Sequence, residues 1–271
     1  ENNLPKCVAS LKEIAKRIVI VDCFSEDKTV EVAKSLGCDV YENPWVNYAT
    51  QLNWALENTD ITTKWTMRMD ADEEILPELS REINEVLPTL PDDVNGVELR
   101  RRVYFLGRWI RHGGVYPTIM LRIFKTGFCT CEQTIMDEHM ILTEGQTICL
   151  KNDFIDYNTK SLEWWTGKHN WYSDREVMDY LDKQRQIAED DVVKPKLFGN
   201  QAERKRFLKY ILYYKTPLMK RAHWYYLYRY YLRGGFLDGP EGKIFHFLQG
   251  YWYRFLVDAK IYEHGKKDRE N

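Results

Sequence analysis

Short apolar runs alternate with amphipathic segments over the first 70 residues. The runs at residues 18–21, 38–41 and 65–69 are too short for helices and therefore predict buried strands. Segments with apolar residues at helical spacing precede and separate these runs, and Ser25 stands where a helix cap is expected. The alternation of strands and helices predicts a parallel sheet that is flanked by helices.

Carboxylates follow two of the predicted strands. Asp22 ends the first strand, and the third strand runs directly into Asp70, Asp72, Glu73 and Glu74. Ligands bind at the carboxyl edge of such sheets, and carboxylate oxygens suit hard divalent cations. The alternative is a solvated turn, whose acids Glu73 and Glu74 favour the N-terminus of a helix beginning near residue 77.

The sequence contains no glycine-rich phosphate-binding loop. Neither G-x-G-x-x-G nor G-x-x-x-x-G-K occurs. A nucleotide bound at this sheet edge would need its phosphates neutralised by a metal rather than by backbone amides. This favours the ligand interpretation of Asp70 and Asp72.

The composition is that of a globular protein that can bury a sizeable core. Apolar residues make up 44%, charged residues 30%, and the formal net charge is −2, which says little about partners. No stretch approaches the roughly 18–20 uninterrupted apolar residues of a membrane span. The six cysteines show no zinc-binding spacing, so we expect reduced, packed thiols in a cytosolic protein.

An acidic pair, Asp137-Glu138, lies between apolar segments and precedes His139. Such a pair can have the raised pKa that suits a general base. An acidic turn beside a histidine is the alternative. No partner stands at ligand spacing from His139, so a hydrogen-bonding or packed histidine is expected.

The second half of the chain is rich in aromatic and basic residues. Trp164 and Trp165 stand near Lys168, and the two rings could stack on a sugar or belong to the core. Residues 204–233 interleave Lys and Arg with Tyr and Trp and contain no acid. This pattern suits the headgroup layer of an anionic membrane, or a helical bundle with a basic outer face. No nucleic-acid motif is present, and we expect no nucleic-acid partner.

The ordered set of motifs resembles the family 2 glycosyltransferases with the GT-A fold. The matching pieces are residues 19–22, 25–29, 53–56 and 69–73. The resemblance implies that Asp22, with Ser25 beside it, contacts the nucleoside and that Asp70 and Asp72 hold Mn²⁺ or Mg²⁺ on the diphosphate, with Asp72 as the direct ligand. It also implies one further strand before residue 1, which would be missing from this sequence.

Three later passages resemble the lipopolysaccharide-core subgroup of that family. They lie at residues 113–124, at residues 156–158 followed by 164–173, and at residues 233–239. By this resemblance Tyr116, Arg122 and Trp165 would lie on the acceptor side and Lys168 would contact the nucleotide-sugar. The catalytic base would be Glu138, with Asp137 second.

We therefore expect a mixed, Rossmann-like GT-A sheet over residues 1–155 and a helical acceptor- or membrane-associating extension over residues 156–271. The expected activity is inverting, metal-dependent transfer from a nucleotide-diphosphate sugar, a UDP-hexose or UDP-HexNAc, to a lipid-linked or cell-surface glycan. The protein would be cytoplasmic and peripheral to the inner face of the membrane; the sequence leaves its oligomeric state open. The alternatives are a metal-dependent nucleotidyltransferase and a non-catalytic membrane- or glycan-binding module.

Overall fold

The computed structural model describes residues 1–133, 138–157, 160–185, 196–199 and 201–270. The chain divides into two compact units. Unit 1 comprises residues 1–103, 117–133 and 138–157, and unit 2 comprises residues 104–116 and the described part of 158–271. Unit 1 ends close to the expected boundary at residue 155, but residues 104–116 belong to unit 2.

Ten strands are present in the described part of the chain. They are β1 (Val19–Asp22), β2 (Asp39–Glu42), β3 (Trp65–Met67), β4 (Glu73–Ile75), β5 (Val94–Phe105), β6 (Arg108–Trp109), β7 (Thr118–Lys125), β8 (Cys129–Cys131), β9 (Met140–Leu142) and β10 (Gln146–Tyr157).

Nine α-helices accompany these strands in the same described ranges. They are α1 (Leu4–Leu11), α2 (Thr29–Ser35), α3 (Tyr48–Asn58), α4 (Pro77–Val86), α5 (Leu162–Arg185), α6 (Gln201–Phe207), α7 (Lys220–Leu227), α8 (Gly239–Phe245) and α9 (Tyr253–Glu270). Shorter 3₁₀ or π-helical turns connect several of them.

The strands form a mixed arrangement. β1 and β2 pair in parallel, as their βαβ spacing predicted. The six-stranded sheet has the order β3-β7-β5-β10-β4, with β6 paired to β5, and its β3–β7, β5–β7 and β4–β10 pairs are antiparallel. The result is the predicted mixed sheet with flanking helices and a helical C-terminal region.

One local prediction is wrong. Glu73 and Glu74 do not start a helix, because they form β4 and pair with Asp156 and Ile155 of β10. The helix begins at Pro77 instead, near the predicted position. Glu73 tolerates a strand position because its carboxylate meets a buried cation, described below.

The core of unit 1 lies between the six-stranded sheet and helices α1 and α4. Leu79 of α4 packs with Leu99 and Phe154 of the sheet, and all three are fully buried. Burying each such side chain contributes about 1.5–3 kcal/mol. This packing fixes the strand ends that carry the polar residues of unit 1.

Unit 2 is a helical assembly with charged groups in its interior. α5 and α9 pack through Val177 and Val257, while the buried Arg221 pairs with the buried Asp258 at 2.5 Å. Arg229, also buried, donates a hydrogen bond to the carbonyl oxygen of Gly113 (3.0 Å). Arg221 and Arg229 are therefore not part of a basic outer face, contrary to the sequence interpretation. Buried charges need such partners.

None of the described helices combines the length and apolar character needed to cross a membrane. All six cysteines are free thiols. Four of them are buried, as packed thiols would be, and Cys23 and Cys149 are exposed.

Candidate functional site

Asp22 ends β1 and is fixed by its own turn. Its carboxylate is buried and accepts hydrogen bonds from the backbone N–H and the hydroxyl of Ser25, at 2.7 and 2.6 Å. Ser25 therefore orients Asp22 and does not cap α2, which begins at Thr29 without a side-chain cap. Each carboxylate oxygen of Asp22 keeps a second lone pair that a ligand hydroxyl or N–H can use.

Asp70 follows β3 and is surrounded by donors. Tyr48 donates its hydroxyl to Oδ1 (2.6 Å), Arg68 Nε lies 3.8 Å from Oδ1, and Arg122 Nη2 lies 3.5 Å from Oδ2. Burial by itself would raise the pKa of Asp70, but Arg122 and Arg68 outweigh it, so the pKa lies below its ordinary value. Asp70 is consequently held as a carboxylate in a fixed orientation.

A buried ion pair lies under Asp70. Arg122 is 1% exposed and its guanidinium contacts the carboxylate of Glu73, which is 2% exposed. The second oxygen of Glu73 accepts the backbone N–H of Asp70 at 3.0 Å. Burial raises the pKa of Glu73, and Arg122 opposes the rise. The expected acceptor-side position of Arg122 does not fit a guanidinium that is buried against these two acids.

Asp72 has a different environment. It lies in the turn between β3 and β4 and is exposed, and its backbone oxygen accepts a hydrogen bond from the N–H of Tyr157 (3.1 Å). Within the described ranges its carboxylate forms no hydrogen bond or ion pair. Asp72 is therefore the acid of this turn whose oxygens are available to a ligand.

The sequence interpretation gave no role of its own to a neighbouring acid, Asp156, although it lies in a passage that resembles the subgroup. Burial raises the pKa of Asp156, and the carboxylates of Asp72 and Asp70 add to the rise, while Arg101 at 3.5 Å opposes it. Asp156 lies near the end of β10, so the strand-end position that singled out Asp22 and Asp70 is a signal that could have found it.

The donor set can be compared with what Mg²⁺ or Mn²⁺ requires. The described residues contain no group of three or more His, Cys, Asp or Glu side chains arranged to hold a metal. Such ions are commonly held by one or two carboxylates, with water and substrate phosphates as the other ligands. The free carboxylate of Asp72 fits this second kind of site, while Asp70 is engaged by Tyr48 and the arginines.

The predicted base region contains a second buried carboxylate. Asp137 lies outside the described residues. Glu138 is half-buried. The pKa of the nearby Cys131 is raised to about 11, first by the burial of Cys131 itself and also by the negative charge of Glu138. His139 makes the predicted hydrogen bonds, since its backbone N–H (2.9 Å) and Nδ1 (2.8 Å) contact the carboxylate of the buried Glu132. Glu132 was missed because nothing in its local pattern distinguishes it.

Three further predicted residues belong to unit 2. Trp165 is 6% exposed and stacks on His169 with ring centroids 3.4 Å apart, so its ring packs in the interior of unit 2, which does not fit the expected acceptor-side position. Lys168 lies over the exposed ring of Trp164 at 4.8 Å. Tyr116 is half-buried, with its ring against that of Trp109 at 5.0 Å.

The first half of the chain matches a known protein family. The sequence profile described as "Glycosyl transferase family 2" matches residues 1–146, more than half of the chain. The chain belongs to glycosyltransferase family 2 and is an enzyme of that class.

Two relatives that this chain matches over most of their own length are also named glycosyltransferases. An uncharacterised glycosyltransferase of Rickettsia typhi (strain ATCC VR-144 / Wilmington) is 25% identical over 99% of this chain and 85% of its own length. The lipopolysaccharide core biosynthesis glycosyltransferase LpsC of Rhizobium meliloti (strain 1021) is 29% identical over 100% of this chain and 92% of its own. The crystal structure of S. aureus TarS 1–349 superposes with a TM-score of 0.42 at 10% identity, covering 97% of this chain and 88% of that one.

Proposed function

We propose that this enzyme transfers a sugar from a nucleotide-diphosphate donor, a UDP-hexose or UDP-N-acetylhexosamine, to a glycan with inversion at the anomeric carbon. The observation that carries the proposal is the contrast between two acids of one turn. Asp70 is held ionised by Arg122 and Arg68 and accepts a hydrogen bond from Tyr48, whereas the carboxylate of Asp72 is exposed and without a partner among the described residues. A free carboxylate at a strand end is the kind of ligand that Mg²⁺ or Mn²⁺ uses together with substrate phosphates.

Each strand-end acid then has a separate role. Asp22, oriented by Ser25, would accept hydrogen bonds from the nucleoside. Asp72 would ligate Mn²⁺ or Mg²⁺ together with the donor phosphates. Asp70, which is held by Tyr48 and the two arginines, would keep the turn in the conformation that presents Asp72. When bound, the cation would draw charge from the departing diphosphate.

Glu138 is proposed as the general base. It would take the proton from the acceptor hydroxyl while that oxygen forms a bond to the anomeric carbon. The bond from that carbon to the diphosphate breaks on the opposite face, so the configuration inverts. Direct displacement of this kind needs no nucleophilic side chain.

The acceptor class is inferred from the relative LpsC, whose name places it in lipopolysaccharide core biosynthesis. We propose a lipid-linked or cell-surface glycan acceptor, a lipopolysaccharide core or a polysaccharide. A lipid-linked acceptor would bring the enzyme to the inner face of the cell membrane.

Unit 2 offers a surface for such an encounter, here called the aromatic strip. Its members are exposed aromatic and aliphatic side chains on α7 and the turns that follow it: Trp224, Leu227, Tyr228, Tyr231, Leu232, Phe236 and Leu237. The exposed Lys215 and Lys220 precede the strip, and no acid lies between residues 204 and 233. Aromatic rings flanked by cations suit the headgroup layer of an anionic bilayer.

Isothermal titration calorimetry with UDP and MnCl₂ tests the donor site. The wild-type protein should bind UDP with one-site stoichiometry, and Asp72→Asn should weaken metal-dependent binding at least tenfold, because a charged ligand is lost. The matched control is Asp60→Asn, which changes an exposed acid at φ +49°, a conformation that asparagine adopts readily. Unchanged binding by Asp72→Asn would overturn the assignment.

Glu138→Gln separates binding from chemistry. This variant should bind UDP like the wild type and transfer or hydrolyse the donor sugar about 10²–10⁴-fold more slowly. A variant with undiminished turnover would remove Glu138 from the mechanism and leave the donor site in place.

A further inference from the structure

Two glycine-containing segments of unit 2 are joined although they are far apart in the sequence. The backbone N–H of Gly113 donates to the carbonyl of Arg233 (2.9 Å), and that of His112 donates to Oδ2 of Asp238 (2.8 Å). Gly113 has φ +68°, and a Cβ there would overlap the ring of the buried His246. We call the joined residues 112–114 and 233–239 the glycine clasp.

The clasp fixes one imidazole at its surface. His112 Nδ1 lies 2.6 Å from Oδ1 of Asp238, whose side chain is 3% exposed, while the His112 side chain is 39% exposed. A carboxylate on one ring nitrogen sets the orientation of the ring and leaves the other nitrogen for a ligand. Burial lowers the pKa of the neighbouring His246 to about 4, so His246 does not compete as a cation for the carboxylate of Asp238.

Cationic side chains surround the same backbone. The exposed guanidinium of Arg233 lies 4.0 Å from the position that a Cβ would take at Gly114. Arg108 lies 3.1 Å from the corresponding position at Gly239 and 3.6 Å from Glu241, and the exposed Arg111 lies over the ring of Trp109.

The charges at the clasp do not balance. Asp238 is engaged by His112, and Glu241 is engaged by Arg108. Within the described ranges Arg233 has a hydrogen bond to the Tyr228 hydroxyl (3.1 Å) but no ion pair. The clasp therefore presents a surplus of positive charge at an ordered surface.

We propose that His112 and Arg233 form a binding site for a phosphate group of a substrate. A guanidinium matches two phosphate oxygens at once, and an oriented imidazole adds one further hydrogen bond. The phosphate has two possible sources, a nucleoside diphosphate or a phosphorylated sugar. Which compound supplies the phosphate depends on the proposed glycosyl transfer. The binding of a phosphate group by His112 and Arg233 does not depend on it.

Nuclear magnetic resonance of the full chain with ¹³C/¹⁵N-labelled histidine tests the site. The ring signal of His112 is assigned by its loss in His112→Gln and followed during titration with UDP, glucose 6-phosphate or uncharged glucose, without metal. We expect a saturable shift with at least one phosphate compound and none with glucose. The compound that acts at the lower concentration identifies the source.

Variants of Arg233 separate binding from folding. Arg233→Gln should weaken phosphate binding roughly ten- to a hundredfold, Arg233→Lys should weaken it less, and Arg204→Gln, at an exposed arginine of α6, should leave it unchanged. Thermal melting confirms that each variant is folded. No saturable shift of the His112 signal with either phosphate compound, or equal affinity in Arg233→Gln, would overturn the proposal.

The test also distinguishes this site from the proposed donor site. If glucose 6-phosphate shifts His112 while UDP with manganese shows no binding in calorimetry, the clasp site stands and the donor assignment fails. If UDP binds in an Asp72-dependent manner while His112 does not respond, the donor site stands and the clasp site fails.

Discussion

Replacing Arg122 with methionine removes the cation that serves both Asp70 and Glu73. Arg122 is 1% exposed, lies 3.5 Å from Asp70 and directly contacts Glu73. Methionine keeps much of the side-chain length and fills irregular space. The change therefore removes mainly the charge and its hydrogen bonds, and little packing.

The expected loss of stability is about 3–5 kcal/mol, the usual cost of leaving a buried charge without its partner. Asp70 retains the Tyr48 hydroxyl and Arg68, so the loss falls mainly on Glu73. Burial raises the pKa of Glu73 above its ordinary value of 4.5 and Arg122 opposes the rise, so the pKa should rise further without Arg122. The folded variant then holds a proton that the unfolded chain releases above pH 4.5. The stability of the variant therefore falls as the pH rises from 4.5 through the folded-state pKa of Glu73.

Urea unfolding at pH 5.5 and pH 8.5 measures the effect. Arg122→Met should lose more stability at pH 8.5 than at pH 5.5, and adding Glu73→Gln should restore much of the loss by removing the unpaired charge. The control Arg81→Met changes an exposed arginine of α4 and should cost less than about 0.5 kcal/mol. A loss below about 1 kcal/mol at both pH values would refute the reasoning.

Three further outcomes are expected. Gly113→Ala should abolish or severely reduce folding of the full chain in circular dichroism, because its Cβ would overlap His246; a wild-type melting curve would contradict this. Between pH 7 and 5, His246→Gln should lose up to about 2 kcal/mol less stability than the wild type. The reason is that the unfolded histidine, with pKa 6.5, binds a proton in this range while the buried, folded-state histidine does not. An unchanged pH dependence of the urea midpoint would count against it. Trp224→Ser with Leu232→Ser should weaken flotation with anionic vesicles while Trp171→Ser, an exposed tryptophan outside the strip, should not; equal flotation of both variants would exclude the strip.

Local patterns predicted the elements that depend on short-range physics. The apolar run ending at Asp22 and the proline at residue 77 predicted a strand and a helix start, and the structure has both. The strand-end positions of Asp22 and Asp70 also followed, because an apolar run that stops at an acid is visible in sequence.

The residues that the sequence misplaced depend on contacts between distant segments. Arg122 and Glu73 are 49 positions apart in the sequence and bury each other in the structure. The local pattern around either residue alone predicts a charge at the surface. The sequence around Trp165 is also compatible with an exposed ring that stacks on a ligand, but in the structure His169 and Phe105 cover this ring. Periodicity gives the type of an element and carries no information about which distant partner completes its polar groups.

A thermal-shift titration tests the central claim most directly. UDP-glucose, UDP-galactose and UDP-N-acetylglucosamine, each with MnCl₂, are added to the wild-type protein and to Asp72→Asn. At one hundred times its Kd, a bound donor adds about 2.7 kcal/mol and should raise the Tm by roughly 5–10 °C. We predict such a rise with at least one UDP-sugar and its loss in Asp72→Asn. No rise with any UDP-sugar, or an equal rise in Asp72→Asn, would contradict a donor site at this turn.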